Sequence, residues 1–182
     1  MPPSAEEAAK ALREIATIRV RAAGFQDYRA ESSQLVLWGI AYSLGFALTG
    51  LFPSLILLIW LGLVGCALLL GTYMACRTNP HIPGITWRYL TLVGAILVFC
   101  LLLNLVIWPI SAQQSLMIGP LFVAALYIIR GVHLRPRYLV LGALLALVSI
   151  VGYFVFHAFF WWWMAVFFGG TLIMAGLWLR QQ

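Results

Sequence analysis

Carboxylates are nearly missing from this 182-residue chain: Glu6, Glu7, Glu14, Asp27 and Glu31 are the only ones, and none follows position 31. Charged residues of both signs make up 9% of the sequence, against roughly 25% in a soluble domain. Hydrophobic residues make up 64%, and the mean hydropathy is +1.00. This balance excludes an ordinary soluble enzyme, a disordered chain and a nucleic-acid binder. The solvent of most of this chain is lipid.

Further absences narrow the chemistry. No Asp, Glu, Lys or Arg lies within the interior of an apolar run. Ionisable groups at bilayer depth mark proton relays, ion paths and voltage sensors, so their absence argues against a proton-coupled antiporter, a pump or a voltage sensor. Paired-carboxylate chemistry within the bilayer is excluded for the same reason. HExxH, GxSxG, GxGxxG and P-loop patterns are missing. Cys66, Cys76 and Cys100 are odd in number and lie in apolar runs. They read as small hydrophobes and not as a disulfide framework or a metal site. His81, His133 and His157 fall in gaps on two different faces and cannot converge on one haem or zinc. The chain is therefore read as no enzyme, with no cofactor. An intramembrane enzyme using Cys, Tyr or His is the weakest alternative.

What remains is six apolar runs, placed at 34–51, 54–76, 88–108, 113–130, 138–156 and 159–179. A spanning helix needs about 17–25 residues. The stretch from Tyr138 to Leu179 would make one helix of about 63 Å at 1.5 Å per residue, twice the hydrocarbon thickness, so it must fold back near Phe156, His157 and Ala158. The fold expected is an all-α integral membrane bundle of six transmembrane helices, arranged as three αα-hairpins, forming a domain over 32–182.

Six spans put every one of the eleven basic residues on one face. The gaps on the other face, near 52–53, 109–112 and 157–158, carry none. The positive-inside rule then places both termini in the cytoplasm of an inner-membrane, multi-pass protein. A miscount by one span would scatter the arginines over both faces. Tryptophan agrees: Trp38, Trp87 and Trp178 fall near one interface, and Trp108 and Trp161–Trp163 near the other.

Residues 1–31 read as a cytoplasmic amphipathic helix. Ser4 and Glu7 make a capping box, and Ala8, Leu12, Ile15, Ile18, Ala22 and Phe25 form one apolar stripe. Such a helix lies flat on the membrane or its own bundle, or docks a partner. It lacks the form of a secretory signal and is expected to stay on the mature protein. A weak internal repeat accompanies the hairpins: LVLWG at 35–39, LTLVG at 90–94 and LVLG at 139–142 open the pairs, and Arg77, Arg130 and Arg180 close them.

Two groups of residues stand out. Asn104 is costly to leave unpaired and is expected to bond across helices. Pro120, beside Gly119, predicts a kink. With Tyr153, these form a candidate polar pocket. Arg77, Arg88, Arg130, Arg135 and Arg137 form a candidate contact for a lipid headgroup or a partner. The function expected is an accessory or scaffold subunit without catalytic apparatus. It would bind membrane lipid, another membrane protein or a second copy of itself, and no nucleic acid. The alternative is a small oligomeric transporter or channel for a neutral or lipophilic solute.

Overall fold

The computed structural model describes residues 28–78, 85–133 and 136–180, together with Leu12 and Glu14. Those two positions are helical and exposed. The rest of the expected amphipathic helix lies outside the described residues, as do His81, Arg135 and the side chains of Tyr28, Arg29, Glu31, Arg88 and His133.

Six helices are long and apolar enough to cross a membrane, and no strand occurs among the described residues. Helix α1 is Tyr28–Leu51, α2 is Ile56–Thr78 after a 3₁₀ turn Pro53–Leu55, α3 is Ile85–Ile107, α4 is Ala112–His133 and α5 is Pro136–Phe154. The expected fold-back is a 3₁₀ turn at His157–Phe159. The sixth helix, α6, runs without a break through Phe160–Trp163, a π-helical stretch Met164–Phe168, and Gly169–Arg180. The protein is thus a multi-pass, all-α membrane bundle.

Consecutive helices run antiparallel, as cross-contacts show. Gln34 meets Gly71, Cys76 meets Thr86, Phe99 meets Phe122, and Trp163 meets Gly152. Helix α6 returns to α1, closing the bundle, with Ser32 against Gly176 and Ser43 against Ala165. The alternation puts Arg77, Arg88, Arg130, Arg137 and Arg180 at one end, here called the basic end.

The helices of each expected hairpin touch, yet the most extensive packing lies between hairpins, in α1 with α6 and in α4 with α5. The reason is the solvent. Lipid tails are as apolar as Leu, so burial of Leu drives no pairing, and helices associate where small residues let backbones approach. Gly39 faces Ile173, with room for no Cβ: an added carbon would lie 2.9 Å from the Ile173 backbone nitrogen. At Gly142 it would lie 2.7 Å from the Ala124 carbonyl oxygen. Hydroxyls then fasten the α1–α6 contact: Ser32 Oγ donates to the Gly176 carbonyl at 2.7 Å, and Ser43 Oγ to the Ala165 carbonyl at 2.8 Å.

The main buried cluster draws on four helices. Leu35 and Phe46 come from α1, Met117 and Ala124 from α4, Tyr138, Leu141 and Leu145 from α5, and Phe160, Met164, Phe168 and Leu172 from α6. Helices α2 and α3 supply none of its fully buried members. A third of the α1, α5 and α6 spans is buried, against 11% of α2 and 6% of α3. The molecule is therefore a four-helix core with a peripheral hairpin, α2–α3, laid against it.

Candidate functional site

The basic end fixes three of its arginines over aromatic rings. The Arg77 guanidinium lies 5.1 Å from the Tyr73 ring centre, Arg130 lies 5.1 Å from Tyr138, and Arg137 lies 5.3 Å from Trp178. Each contact contributes about 0.5–1 kcal/mol at an exposed site. Tyr138 is buried and stacks on Tyr127 at 6.0 Å, so Arg130 caps a column of two rings. Arg137, Tyr138, Leu141, Ala175, Trp178 and Leu179 line a shallow cleft between α5 and α6. Of the five arginines expected to act together, three thus stand in aromatic settings. Arg88 lies on α3 with its side chain outside the described residues, and Arg135 lies outside them altogether.

At the opposite end, Asn104 bonds across helices. Its Oδ1 accepts from Ser115 Oγ at 2.6 Å, joining α3 to α4. Its Nδ2 donates to the Cys100 carbonyl at 2.8 Å, so both halves of the amide are used. Pro120 lies farther along α4 and is fully buried. Having no N–H, it leaves the Leu116 carbonyl without the usual helix partner. Tyr153 sits among Phe154, His157 and Phe160, at 5.2, 5.8 and 6.4 Å between ring centres. Among the described residues no hydrogen bond or ring contact joins it to Asn104 or Pro120. The link nearest to one runs through α4's first turn, where Gln113 Nε2 donates to the His157 carbonyl at 3.2 Å.

Two groups inside the bundle carry weight that the sequence reading did not give them. Tyr42 stands at the junction of core and hairpin. Its ring is ringed by Trp38, Phe46, Trp60 and Phe168 at 5.1–6.4 Å. Its hydroxyl points at Gly119, 3.4 Å from where a Cβ would sit. Aromatic rings fill the centre of the core: Phe46, Phe160 and Phe168 are wholly buried.

The second group lies nearer the basic end, where α1, α2 and α3 meet. Gln34 Nε2 donates to the Gly71 carbonyl at 2.7 Å, and Trp38 Nε1 donates to the Tyr89 hydroxyl at 3.2 Å. Gln34 Oε1 is buried with no hydrogen-bond partner. Its signal in the sequence is a primary amide just inside an apolar run, an expensive residue at that depth. Tyr89 is masked in the sequence by its place beside Trp87 and Arg88, which makes it look like one more interfacial aromatic. No family model, curated protein or solved structure matches the chain.

Proposed function

We propose that this protein is a non-catalytic accessory or scaffold subunit of an inner membrane, with both termini in the cytoplasm. Its basic end would engage anionic lipid or the cytoplasmic flank of a membrane partner. The observation that carries this reading is the trio of arginines laid over Tyr73, Tyr138 and Trp178 at one end of the bundle. Rings beneath the guanidiniums hold three positive charges together at the end where a phosphate or carboxylate would be met. The rings that fill the centre of the core support a binding role over conduction through a single chain.

The test is a triple variant, Arg77→Gln, Arg130→Gln and Arg137→Gln, compared with the parent for retention of anionic lipid and of co-purifying membrane proteins. Loss of both with an unchanged unfolding midpoint supports the reading. Unaltered retention overturns it. Removal of residues 1–31 should likewise release a partner while the bundle stays folded. Tags on the two ends, probed from each compartment, should react from the cytoplasm alone.

A second reading, passage of a neutral or lipophilic solute, draws support from the polar Asn104–Ser115 contact beside α4's proline. Its path would follow the seam of α3 and α4. Flux in proteoliposomes should then fall with Asn104→Leu and Pro120→Ala.

A further inference from the structure

We infer that the cleft between α5 and α6 at the basic end is a seat for an anionic phospholipid, with its phosphate at Arg137 and the upper part of an acyl chain along the apolar floor. The cleft follows from how the two helices are joined. The turn His157–Phe159 holds them together at the opposite end. There Trp163 Nε1 donates to the Val148 carbonyl at 2.9 Å, and the Trp163 ring packs on Gly152. Toward the basic end α5 packs extensively on α4 and only lightly on the stretch Gly169–Arg180, which packs on α1 instead. The space left is lined by Arg137 and Tyr138 from the first turn of α5, Leu141 one turn on, and Ala175, Trp178 and Leu179 from the end of α6.

The lining divides by polarity. Arg137 is exposed, with its guanidinium held 5.3 Å from the centre of the Trp178 ring. Tyr138, Leu141 and Leu179 are buried and, with Ala175, make an apolar floor. A cation beside an apolar floor suits an amphiphile. A soluble anion has nothing to set against the floor, and a neutral solute gains nothing from the arginine. Depth points the same way. Arg137 and Tyr138 open the fifth span, and Trp178 and Arg180 close the sixth, so the arginine stands where a span meets the headgroups. Leu139, Val140 and Leu177 beside the cleft are exposed, as lipid-facing residues are. In a bilayer a shallow cleft left empty forfeits dispersion contacts, and an acyl chain lying along it restores them. Charge selects the anionic kind. The formal net charge is +6 and no carboxylate follows Glu31, so the chain holds more positive charge than its own acids balance in number. Arg130, 5.1 Å from the centre of the Tyr138 ring, brings a second positive charge to the same lining residue. Basic pockets between spans take lipid phosphates for this reason. The assignment rests on the proposed engagement of anions by the basic end, and narrows it to lipid at one cleft.

The experiment uses the full chain in mild detergent, with added phosphatidylglycerol or phosphatidylcholine and bound lipid counted by native mass spectrometry. The parent should retain the anionic lipid in preference to the zwitterionic one, and excess inorganic phosphate should not displace it. Arg137→Gln should lower phosphatidylglycerol retention about tenfold, the scale of one charge-assisted hydrogen bond, while Arg77→Gln on the peripheral hairpin changes it less than about twofold. Two further variants keep every arginine. Trp178→Leu removes the ring that holds the guanidinium, and Ala175→Phe fills the floor; each should lower retention severalfold. Thermal unfolding checks the fold of each variant, and Trp178, at an exposed position, is replaceable even where Ala175→Phe fails to fold. Equal losses from Arg77→Gln and Arg137→Gln, or retention unmoved by Trp178→Leu, overturn the cleft and leave the wider role of the basic end standing. So do equal retention of the two lipids and displacement by inorganic phosphate. Retention of anionic lipid by the triple arginine variant overturns both.

Discussion

Four glycines of the four-helix core and three of the peripheral hairpin have opposite surroundings. Gly39, Gly142, Gly169 and Gly176 each sit where an added Cβ would fall within 3 Å of a neighbouring helix backbone. Gly62 and Gly65 on α2 and Gly94 on α3 have nothing within 4 Å. At these seven positions the same residue type marks backbone contact in the core and open flank on the hairpin, whereas Gly71 on α2 packs against side chains and Gly170 on α6 has nothing within 4 Å. In lipid the stability of a helix pair follows from how near the backbones come, and not from how apolar the surfaces are. The core has that proximity. The hairpin is held instead by a few polar and aromatic contacts: Gln34 with Gly71, Trp38 with Tyr89, Trp60 with Thr49, and Asn104 with Ser115.

The comparison can be broken most forcefully at a core glycine. Gly142→Leu should destabilise the bundle by about 3 kcal/mol or more, since neither the Ala124 carbonyl nor the Ile128 nitrogen can move aside. Gly62→Leu should cost nothing measurable. Reversible unfolding in mixed micelles reads both, and equal effects would erase the division into core and hairpin. Next comes Phe46→Ala, expected to cost about 2–3 kcal/mol. In lipid only the cavity part of the usual large-to-small cost applies, because transfer to hydrocarbon is nearly neutral. Val106→Ala on α3, at a position 81% exposed, should stay within about 0.5 kcal/mol. Ser43→Ala should cost about 1 kcal/mol by removing the hydroxyl that caps the Ala165 carbonyl. Smaller than the Ser43 effect is the coupling of Asn104 and Ser115. A double-mutant cycle with Asn104→Leu and Ser115→Ala should give about 0.6 kcal/mol, typical of a hydrogen bond between membrane helices.

The spans were legible because the bilayer imposes a length, and arginine at their ends gave an independent count. The pairing was not. Ser32 and Gly176 are 144 positions apart, and nothing in an all-apolar sequence distinguishes a Leu that meets protein from one that meets lipid. The bond from Asn104 across helices followed from the cost of an unpaired amide. Its partner, Ser115, did not, because serine is tolerated anywhere along such a helix. Tyr153 looked equivalent to Asn104 by polarity alone, yet its ring lies in an aromatic group at the turn before α6. Gln34 was overlooked because residues near a span end are usually wetted, and only the fold shows that its oxygen is enclosed.

The π-helical stretch Met164–Phe168 sets the phase of α6. On α6, the positions that face α1 include Trp161, Ala165, Gly169 and Ile173, four residues apart. In a regular α-helix of 3.6 residues per turn, every such step overshoots a full turn by about 40°, and the row would spiral away from its partner. A wider turn absorbs one surplus residue and resets the azimuth, so a straight neighbour can be followed from Trp161 to Gly176 without either helix supercoiling. Excising a single residue there would leave each half intact while turning one relative to the other.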